Sequence, residues 1–252
     1  MEKDIALLLT GVVVGAMNAI AGGGMLLGFP AMVALGIPPL VANVTANAIM
    51  PPGTAVAVGA YRSYLRHIPW RYAWLLVPVA IGAIAGALTL RGTDASQFTE
   101  LVPWLVLAGV VLFAFQPIIH LRLHHHLHKN RGGNWTLALL GLGILPASFY
   151  GGYFGAGYGF MMLAFLGMGK VHEIHMLTAM KNVSSLVVSV LCLLLLADTG
   201  LVDWRVAAIM AVGATAGGYL GAVIGKRIAA KTLRVFIIVT GLAAAAWLAL
   251  QQ

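Results

Sequence analysis

Two glycine-rich stretches, AGGG at residues 21–24 and GGYFGAGYG at residues 151–159, decide the fold of this chain. Each interrupts an apolar segment of more than 30 residues, 5–35 in the first half and 135–168 in the second. A membrane-spanning helix needs about 20 apolar residues, so neither segment is predicted to be one ordinary helix. Backbone N–H groups at a break cannot be left bare in hydrocarbon, and a break at membrane depth must therefore line a cavity or be buried in protein.

The composition around these breaks is that of a polytopic membrane protein. Of the 252 residues, 61% are hydrophobic and 9% are charged, and the mean hydropathy is +0.95, whereas soluble domains carry about 25% charged residues. The formal net charge of +8 is expected from Lys and Arg on a cytoplasmic face, so we expect the lipid bilayer and no nucleic acid as a partner. The one cysteine, Cys192, lies in an apolar run, which excludes a disulfide framework.

The remaining apolar segments indicate six spans and an internal duplication. The segments are 41–61, 72–90, 101–119, 175–197, 204–224 and 232–250, each near the length of a spanning helix. Adding 135 to a position in the first half reaches a matching residue in the second, in the pairs Gly22 and Gly157, Gly24 and Gly159, Asn47 and Asn182, Gly82 and Gly217, Gly86 and Gly221, and Arg91 and Lys226. This register predicts a first transmembrane repeat at 1–119, a His-rich cytoplasmic linker at 120–134 and a second transmembrane repeat at 135–252.

The distribution of Lys and Arg distinguishes two topologies. If each broken segment crosses the membrane once, the eight spans divide the basic residues eight to six, which favours neither orientation. If each is a re-entrant hairpin, the second half is inverted and the division is eleven to three, the three being Lys3, Arg91 and Arg205. Residues 5–20 would form an arm of about 24 Å, short of a full crossing. The positive-inside rule therefore favours the inverted arrangement, with both termini outside.

The eleven basic residues on the predicted inner side are Arg62, Arg66, Arg71, Arg122, Lys129, Arg131, Lys170, Lys226, Arg227, Lys231 and Arg234.

The helices that follow the breaks are suited to bind an anion. They are predicted to start near Met25 and Phe160, where free N–H groups and a partial positive charge lie at the helix N-termini. Glycine at such a position lets a ligand approach the backbone closely. Broken helices that meet near the bilayer midplane are typical of secondary transporters built from inverted repeats. The alternative interpretation is that the glycines only permit close helix packing.

Lys181 is the only Lys, Arg, Asp or Glu well inside a predicted span. A charge within the bilayer is costly, which indicates a functional or structural partner. Its helix carries polar residues on one face at Thr178, Lys181, Asn182 and Ser185, and the matched helix does so at Asn43, Asn47 and Thr54. We expect both faces to complete a cavity at the glycine breaks. The structural alternative is interhelical hydrogen bonding, with Lys181 snorkelling or deprotonated.

The predicted substrate-binding residues are Gly22, Gly23, Gly24, Met25, Asn47, Gly157, Tyr158, Gly159, Phe160, Lys181, Asn182 and Ser185. No catalytic residue, metal ligand or cofactor is predicted.

The donors in this set favour a small oxyanion over a cation, because an ammonium, amides and hydroxyls surround it. All seven acidic residues are predicted in loops or at the N-terminus, so no buried carboxylate is available for a metal ion, for Na⁺ or for hydrolysis, and we do not expect an enzyme. Two other hypotheses stay open. One is a divalent metal-ion transporter that uses His120, His124, His125, His126 and His128 of the linker, although no Cys or carboxylate accompanies them. The other is a membrane scaffold that transports nothing.

A family resemblance rests on AIAGGG at 19–24 followed by Pro30, on LGIP at 35–38 and on the segment 42–47. The second half repeats the pattern at 152–159 and 177–182. With these motifs the chain resembles the TauE/SafE sulfite exporter family over essentially its whole length. The resemblance implies transport of sulfite or related sulfur-containing anions, including thiosulfate and small organosulfonates, across a bacterial inner membrane.

The sequence thus predicts an all-α polytopic membrane protein of two inverted repeats, each a glycine-broken, re-entrant hairpin plus three transmembrane helices. The predicted activity is secondary transport of a small sulfur-containing anion, coupled to protons or another gradient. The chain has no ATP-binding P-loop of the G-x-x-x-x-G-K-[ST] type. His172, Glu173 and His175 at a helix entrance are candidates for a proton relay. The direction of transport, the coupling ion, the oligomeric state and the exact anion stay open.

Overall fold

The computed structural model describes the chain except for residues 1, 21, 128–132, 170, 172, 225–229 and 251–252, and omits the side chains of 112, 113, 115–127, 133–136, 224 and 230–237. Within the described residues every regular element is helical. The α-helices are α1 (Glu2–Ile20), α2 (Met25–Ala34), α3 (Pro39–Ala60), α4 (Arg62–Leu65), α5 (Leu76–Arg91), α6 (Ala95–Leu127), α7 (Gly133–Tyr153), α8 (Tyr158–Leu166), α9 (Ile174–Leu196), α10 (Trp204–Ile224) and α11 (Ala230–Leu250). Short 3₁₀ helices, Trp70–Leu75 and Ala197–Thr199, precede α5 and follow α9.

Four stretches of the described chain are long and apolar enough to cross a membrane, namely Glu2–Ile20, Trp70–Arg91, Ile174–Thr199 and Trp204–Val223. The last three contain most of the spans predicted at 72–90, 175–197 and 204–224. The segment predicted at 41–61 is the continuous helix α3, in which asparagines and two prolines lower the hydropathy. The segments at 101–119 and 232–250 lie in α6 and α11, where part of the side chains is outside the described residues. The chain is a multi-pass membrane protein.

The first arm is longer than the sequence indicated. Helix α1 begins at Glu2 and has 19 residues, about 28 Å at a rise of about 1.5 Å per residue. The expectation of a short arm was therefore wrong in length, because the polar residues before position 5 continue the helix. The linker also differs, since residues 120–127 extend α6 as helix and α7 begins at Gly133.

Both glycine breaks turn the chain back on itself. Helix α1 ends before the first break, and α2 returns along it, with Gly24 beside Asn18 and Gly28 beside Val14. Helix α7 ends before the second break, and α8 returns with Gly143 beside the Phe165 ring. The order of these contacts makes each pair antiparallel. Each broken segment is thus a helical hairpin with one long arm and one short arm.

The long arm of each hairpin packs against a helix of the other half. A Cβ on Gly221 of α10 would lie 2.7 Å from Ala16 Cα of α1, and Gly213 of α10 faces Val12 of α1. On the other side of the protein, a Cβ on Gly82 of α5 would lie 2.8 Å from Ser148 Cβ of α7. Small residues allow helix backbones to approach this closely in a membrane. Residue numbers rise together along both pairs, so α1 is parallel to α10 and α5 is parallel to α7.

Helices α3 and α9, which correspond under the 135-residue register, pack antiparallel. The ring of Tyr61, just after α3, has its centroid 6.3 Å from that of His175, near the start of α9. At the other end, the backbone N–H of Asp203, beyond α9, donates to Thr45 Oγ1 at 3.0 Å, near the start of α3. The end of one helix therefore meets the start of the other.

These contacts define two ends of the bundle. The carboxylate end holds two ion pairs, Arg91 with Asp198 at 2.8 Å and Arg205 with Asp4 at 3.0 Å. The Arg91 guanidinium donates to both carboxylate oxygens of Asp198, at 3.0 and 2.8 Å. The arginine end holds the segment 61–76, with the exposed residues Arg62, Arg66 and Arg71, and the start of α9.

Cysteine labelling tests which loops share a membrane surface. The native Cys192 is fully buried, so a membrane-impermeant maleimide labels only the introduced cysteine. We expect Ser63→Cys and Glu173→Cys to be labelled from one side of the membrane and Ser96→Cys from the other, because the first two lie at the arginine end. Labelling of Ser63→Cys and Glu173→Cys from opposite sides would show that each broken segment crosses the membrane once.

Candidate functional site

The two glycine breaks touch each other in the centre of the protein. A Cβ on Gly22 would lie 2.7 Å from Gly159 Cα, a distance that real side chains do not reach. Gly22 and Gly157, which match under the 135-residue register, adopt φ angles of +87° and +90°. Side chains of L-residues disfavour this left-handed region. Glycine is thus required both by the backbone conformation and by the close approach of the breaks.

A small cavity of about 50 Å³ lies beside this contact. Its volume is several times the ~10–15 Å³ that one water molecule needs, so it accommodates a small ion of a few non-hydrogen atoms. The lining residues come from both breaks, the end of α1, the end of α7 and the helices α3 and α9. They are Asn18, Gly22, Met25, Ala46, Asn47, Met50, Thr54, Gly151, Phe154, Gly155, Tyr158, Gly159, Ser185, Val188 and Ser189.

Half of the predicted site residues line this cavity, namely Gly22, Met25, Asn47, Tyr158, Gly159 and Ser185. The other six lie in the layer behind it. Gly23 faces the Phe160 ring, Gly24 faces α1, and Gly157 lies near Leu26 of α2. Lys181 and Asn182 are fully buried in α9.

Backbone donors are available at the second break. Helix α8 starts at Tyr158, with Gly157 as its N-cap. In the described part of the chain, the N–H groups of Ala156, Gly157 and Gly159 donate to no protein acceptor. The first N–H groups of a helix lack intrahelical partners and carry a partial positive charge. Gly159 lines the cavity, so an amide without a protein acceptor lies at the cavity wall.

Lys181 reaches the cavity wall from behind. Its Nζ donates to the backbone carbonyl oxygen of Asn18 at 2.7 Å, and its side-chain stem lies against Gly22. The Asn18 carbonyl is in the last turn of α1, where carbonyl groups lack intrahelical partners. The ammonium thus caps a helix of the other half, and both residues that it touches line the cavity.

Asn18 connects three helices at this point, and sequence reasoning missed it. It accepts from Lys181 of α9 through its carbonyl, and its side-chain amide donates to Thr54 Oγ1 of α3 at 3.2 Å. Its position in the sequence, a polar residue one turn before a glycine break, could have indicated a residue of the site. Ser189, also missed, extends the predicted polar face of α9 by one turn beyond Ser185.

Several polar residues near the site have hydrogen-bond partners within the protein, whereas the buried amide of Asn182 has none among the described residues. Asn43 donates to the carbonyl oxygen of Tyr153 at 2.9 Å, and Thr178 donates to that of Ile174 at 2.8 Å, so both stabilise the fold. Asn47 donates to the Asn43 carbonyl at a longer 3.3 Å. Asn182 has no partner for either side-chain polar atom among the described residues. A buried unpaired amide is unfavourable, which points to a water or a ligand that reaches it.

The described residues contain no group of three or more His, Cys, Asp or Glu side chains that would hold a metal ion. The histidines of the linker hypothesis, His120 to His128, lie where side chains are not described. The His175 ring packs against the Tyr64 ring at an interplanar angle of 35°, with the ring centroids 5.1 Å apart. His172 is outside the described residues, so the proposed proton relay stays a prediction.

Comparisons with known proteins cover nearly the whole chain. The family model described as sulfite exporter TauE/SafE matches residues 7–248. A probable membrane transporter protein of Haemophilus influenzae is 31% identical over 84% of this chain and 81% of its own length. The probable membrane transporter protein YfcA of Escherichia coli is 28% identical over 85% and 76%, and the probable membrane transporter protein ORF9 of a Sinorhizobium species is 29% identical over 92% and 87%. No solved structure matches the chain.

The contact between the breaks can be tested by a single methyl group. Gly159→Ala places a Cβ 2.6 Å from the Gly22 carbonyl oxygen, so we expect a free energy of unfolding lower by about 1–3 kcal/mol. Gly59→Ala is the matched control, because its Cβ meets no atom within 4 Å and alanine is the better helix former by up to about 1 kcal/mol. Thermal unfolding of both purified variants measures the difference. Equal melting temperatures would contradict the contact.

Proposed function

Since the chain belongs to the sulfite exporter TauE/SafE family of membrane transporters, we propose that it is a secondary transporter of a small sulfur-containing anion such as sulfite, thiosulfate or an organosulfonate. The observation that carries this proposal is the cavity at the contact of the two glycine breaks, where Gly22, Gly159, Asn47 and Ser185 converge. The anion binds there between helix N-termini and small polar side chains.

The charges of the interior support an anion over a cation. All seven acidic residues are exposed or half-exposed at helix ends and in loops, and none lines the cavity. Lys181 is fully buried behind the cavity wall, with its Nζ on the Asn18 carbonyl, and in this proposal it is charged when the anion is bound. A divalent metal ion favours carboxylate ligands, which are absent from the cavity lining. An oxyanion accepts hydrogen bonds from the amides and hydroxyls that are present there.

Lys181 acts on the anion through Asn18 and Gly22. Its hydrogen bond to the Asn18 carbonyl fixes the end of α1, and its positive charge adds to the potential in the cavity. In a medium of low dielectric constant such a charge acts over several ångströms. The lysine is therefore a positioning and electrostatic residue of the site in the state described here.

The packing directions support inverted repeats. Corresponding helices α3 and α9 are antiparallel. Under the 135-residue register the packed pair α1 and α10 corresponds to the packed pair α7 and α5, and each pair joins the long arm of a hairpin to a helix of the other half. An axis in the membrane plane produces this arrangement. Each glycine-broken hairpin then enters and leaves on one side, and the two repeats move against each other to expose the site alternately.

The same arrangement, together with the distribution of basic residues, supports one orientation in the membrane. The arginine end faces the cytoplasm of a bacterial cell by the positive-inside rule. The carboxylate end, with Asp4 near the start of α1 and Leu248 in the last helix beside the 33–39 loop, faces outward, so both termini are outside the inner membrane. Transport is coupled to protons or another gradient, and either direction of transport uses the one site.

Anion-dependent stabilisation tests the substrate class. We expect sulfite, thiosulfate or a small organosulfonate to raise the melting temperature of the purified protein, and carboxylate analogues and divalent metal ions to leave it unchanged. Stabilisation by metal ions alone would favour the linker-histidine hypothesis. Stabilisation by neither class would favour a scaffold.

Two neighbouring serines provide a matched pair for the site. Ser185 lines the cavity, so Ser185→Ala removes a donor to a charged ligand and should weaken anion binding about tenfold or more. Ser184 donates to its own helix at the Met180 carbonyl, and Ser184→Ala should bind as the wild type does. Isothermal titration with the best anion measures both. Equal affinities of the two variants would remove Ser185 from the site.

Lys181→Met keeps the length of the side chain and removes its charge. We expect the anion dissociation constant to rise about tenfold or more, which corresponds to about 1.4 kcal/mol of lost attraction. Melting of the ligand-free variant controls for the lost cap on α1. A variant that melts lower but binds normally would reduce Lys181 to a structural residue.

A further inference from the structure

A second concave site lies at the arginine end, away from the central cavity. It is a groove of about 190 Å³ between the segment 65–76, helix α8 and helix α9. Its walls are almost entirely apolar, with Leu65, Ile68, Leu76, Met162 and Val183 among them. The hydroxyl of Ser184, the polar side chain at its floor, is already satisfied by the Met180 carbonyl. The groove is therefore suited to an apolar ligand. The Ser184 hydroxyl is not a free donor for a polar ligand.

The rim of the groove carries positive charge. Arg66 and Arg71 are exposed in the segment that forms one wall, and Arg62 is exposed just before it. The Arg71 guanidinium lies 6.0 Å from the centroid of the Tyr72 ring, which lines the groove. All carboxylate side chains of the chain are in the described part, and none forms an ion pair with these three arginines. The three charges are thus available to an anionic group outside the protein.

The position of the segment sets the kind of partner. It leads into the spanning stretch Trp70–Arg91, and Trp70 and Trp74 are 84% and 70% exposed. Exposed tryptophans together with arginines are typical of the membrane–water interface. An apolar groove that opens there, below a cluster of cations, matches a molecule with an acyl chain and a phosphate headgroup.

We propose that this groove is a binding site for an anionic phospholipid of the cytoplasmic leaflet. One acyl chain lies in the groove against Met162 and Val183, and the headgroup phosphate is bound by Arg66 and Arg71. Guanidinium groups bind phosphate oxygens in a bidentate manner. The lipid fits the inner leaflet, because basic residues next to a spanning helix attract the anionic lipids there.

The site has a consequence for the central cavity. Helices α8 and α9 separate the two, since Met162 and Ser184 line the groove while Tyr158 and Ser185 line the cavity. A lipid in the groove thus supports the outer faces of the same two helices that form the anion site. We expect it to stabilise the protein without contacting the transported anion.

Lipid-dependent melting tests the proposal. Delipidated protein in detergent receives phosphatidylglycerol, phosphatidylcholine or soluble glycerol 3-phosphate. We expect phosphatidylglycerol to raise the melting temperature well above the effect of phosphatidylcholine, and glycerol 3-phosphate to have no effect. The double variant Arg66→Gln/Arg71→Gln should bind phosphatidylglycerol more weakly, by roughly fivefold per arginine.

A second variant separates the groove from the charges. Ala73→Trp fills the groove without changing charge and should abolish the preference for phosphatidylglycerol. Ala216→Trp is the matched control, because Ala216 lines a different open apolar surface on α10, and it should keep the wild-type response. The anion-induced melting shift is measured on all variants. If the double arginine variant keeps the anion-induced shift but loses the phosphatidylglycerol preference, the lipid proposal and the transport proposal are tested separately.

Four outcomes would overturn the proposal. Equal stabilisation by phosphatidylcholine would make the groove a nonspecific lipid contact. A full shift with glycerol 3-phosphate would make it a soluble phosphate site, and a full shift with an acidic peptide such as polyglutamate would make it a protein-binding surface. A full phosphatidylglycerol shift in Ala73→Trp would show that the acyl chain lies elsewhere.

Discussion

The backbone contact between Gly22 and Gly159 is the constraint on which the rest of the structure depends. Two helices end near this contact, and two short helices begin there. Only glycine fits at Gly22, because a side chain is disfavoured at its positive φ angle and has no room beside the opposite break. The helix ends that this contact creates leave backbone groups without helical partners in the middle of a membrane protein. Such groups are tolerated only where they meet other protein groups or a cavity, and the structure provides both.

Each half of the chain satisfies part of this requirement for the other half. Lys181 of the second half caps the end of α1 in the first half through the Asn18 carbonyl. Asn43 of the first half donates to the Tyr153 carbonyl at the end of α7. The long arms then run along the glycine surfaces of α10 and α5. Neither break has its helix end satisfied by its own half alone, so each half depends on the other for the hydrogen bonds at its break.

The sequence predicted the features that follow from residue type and register. Helix breaks are present at both glycine stretches, and a cavity lies beside Asn47 and Ser185. The direct contact of Gly22 with Gly159 was not predicted, because the register pairs Gly22 with Gly157 and does not show which residues of the two breaks meet. The partner of Lys181 could not be predicted from the sequence. The helical face limits the direction of the side chain, but its hydrogen-bond partner, the Asn18 carbonyl, is 163 residues away in the chain. The first arm was underestimated for a similar reason. The apolar stretch begins at position 5, whereas the helix begins at Glu2 and includes the polar residues before that stretch.

Anomalous X-ray scattering from crystals of the protein grown with selenite, the selenium analogue of sulfite, shows whether an anion binds beside the contact of the two glycine breaks. Selenium replaces the sulfur atom and is located in a difference map without assumptions about the surrounding density. We expect a selenium peak in the cavity between Gly22, Gly159, Asn47 and Ser185. A cavity without selenium, in crystals whose protein binds the anion in solution, would contradict it, as would a peak confined to the linker histidines.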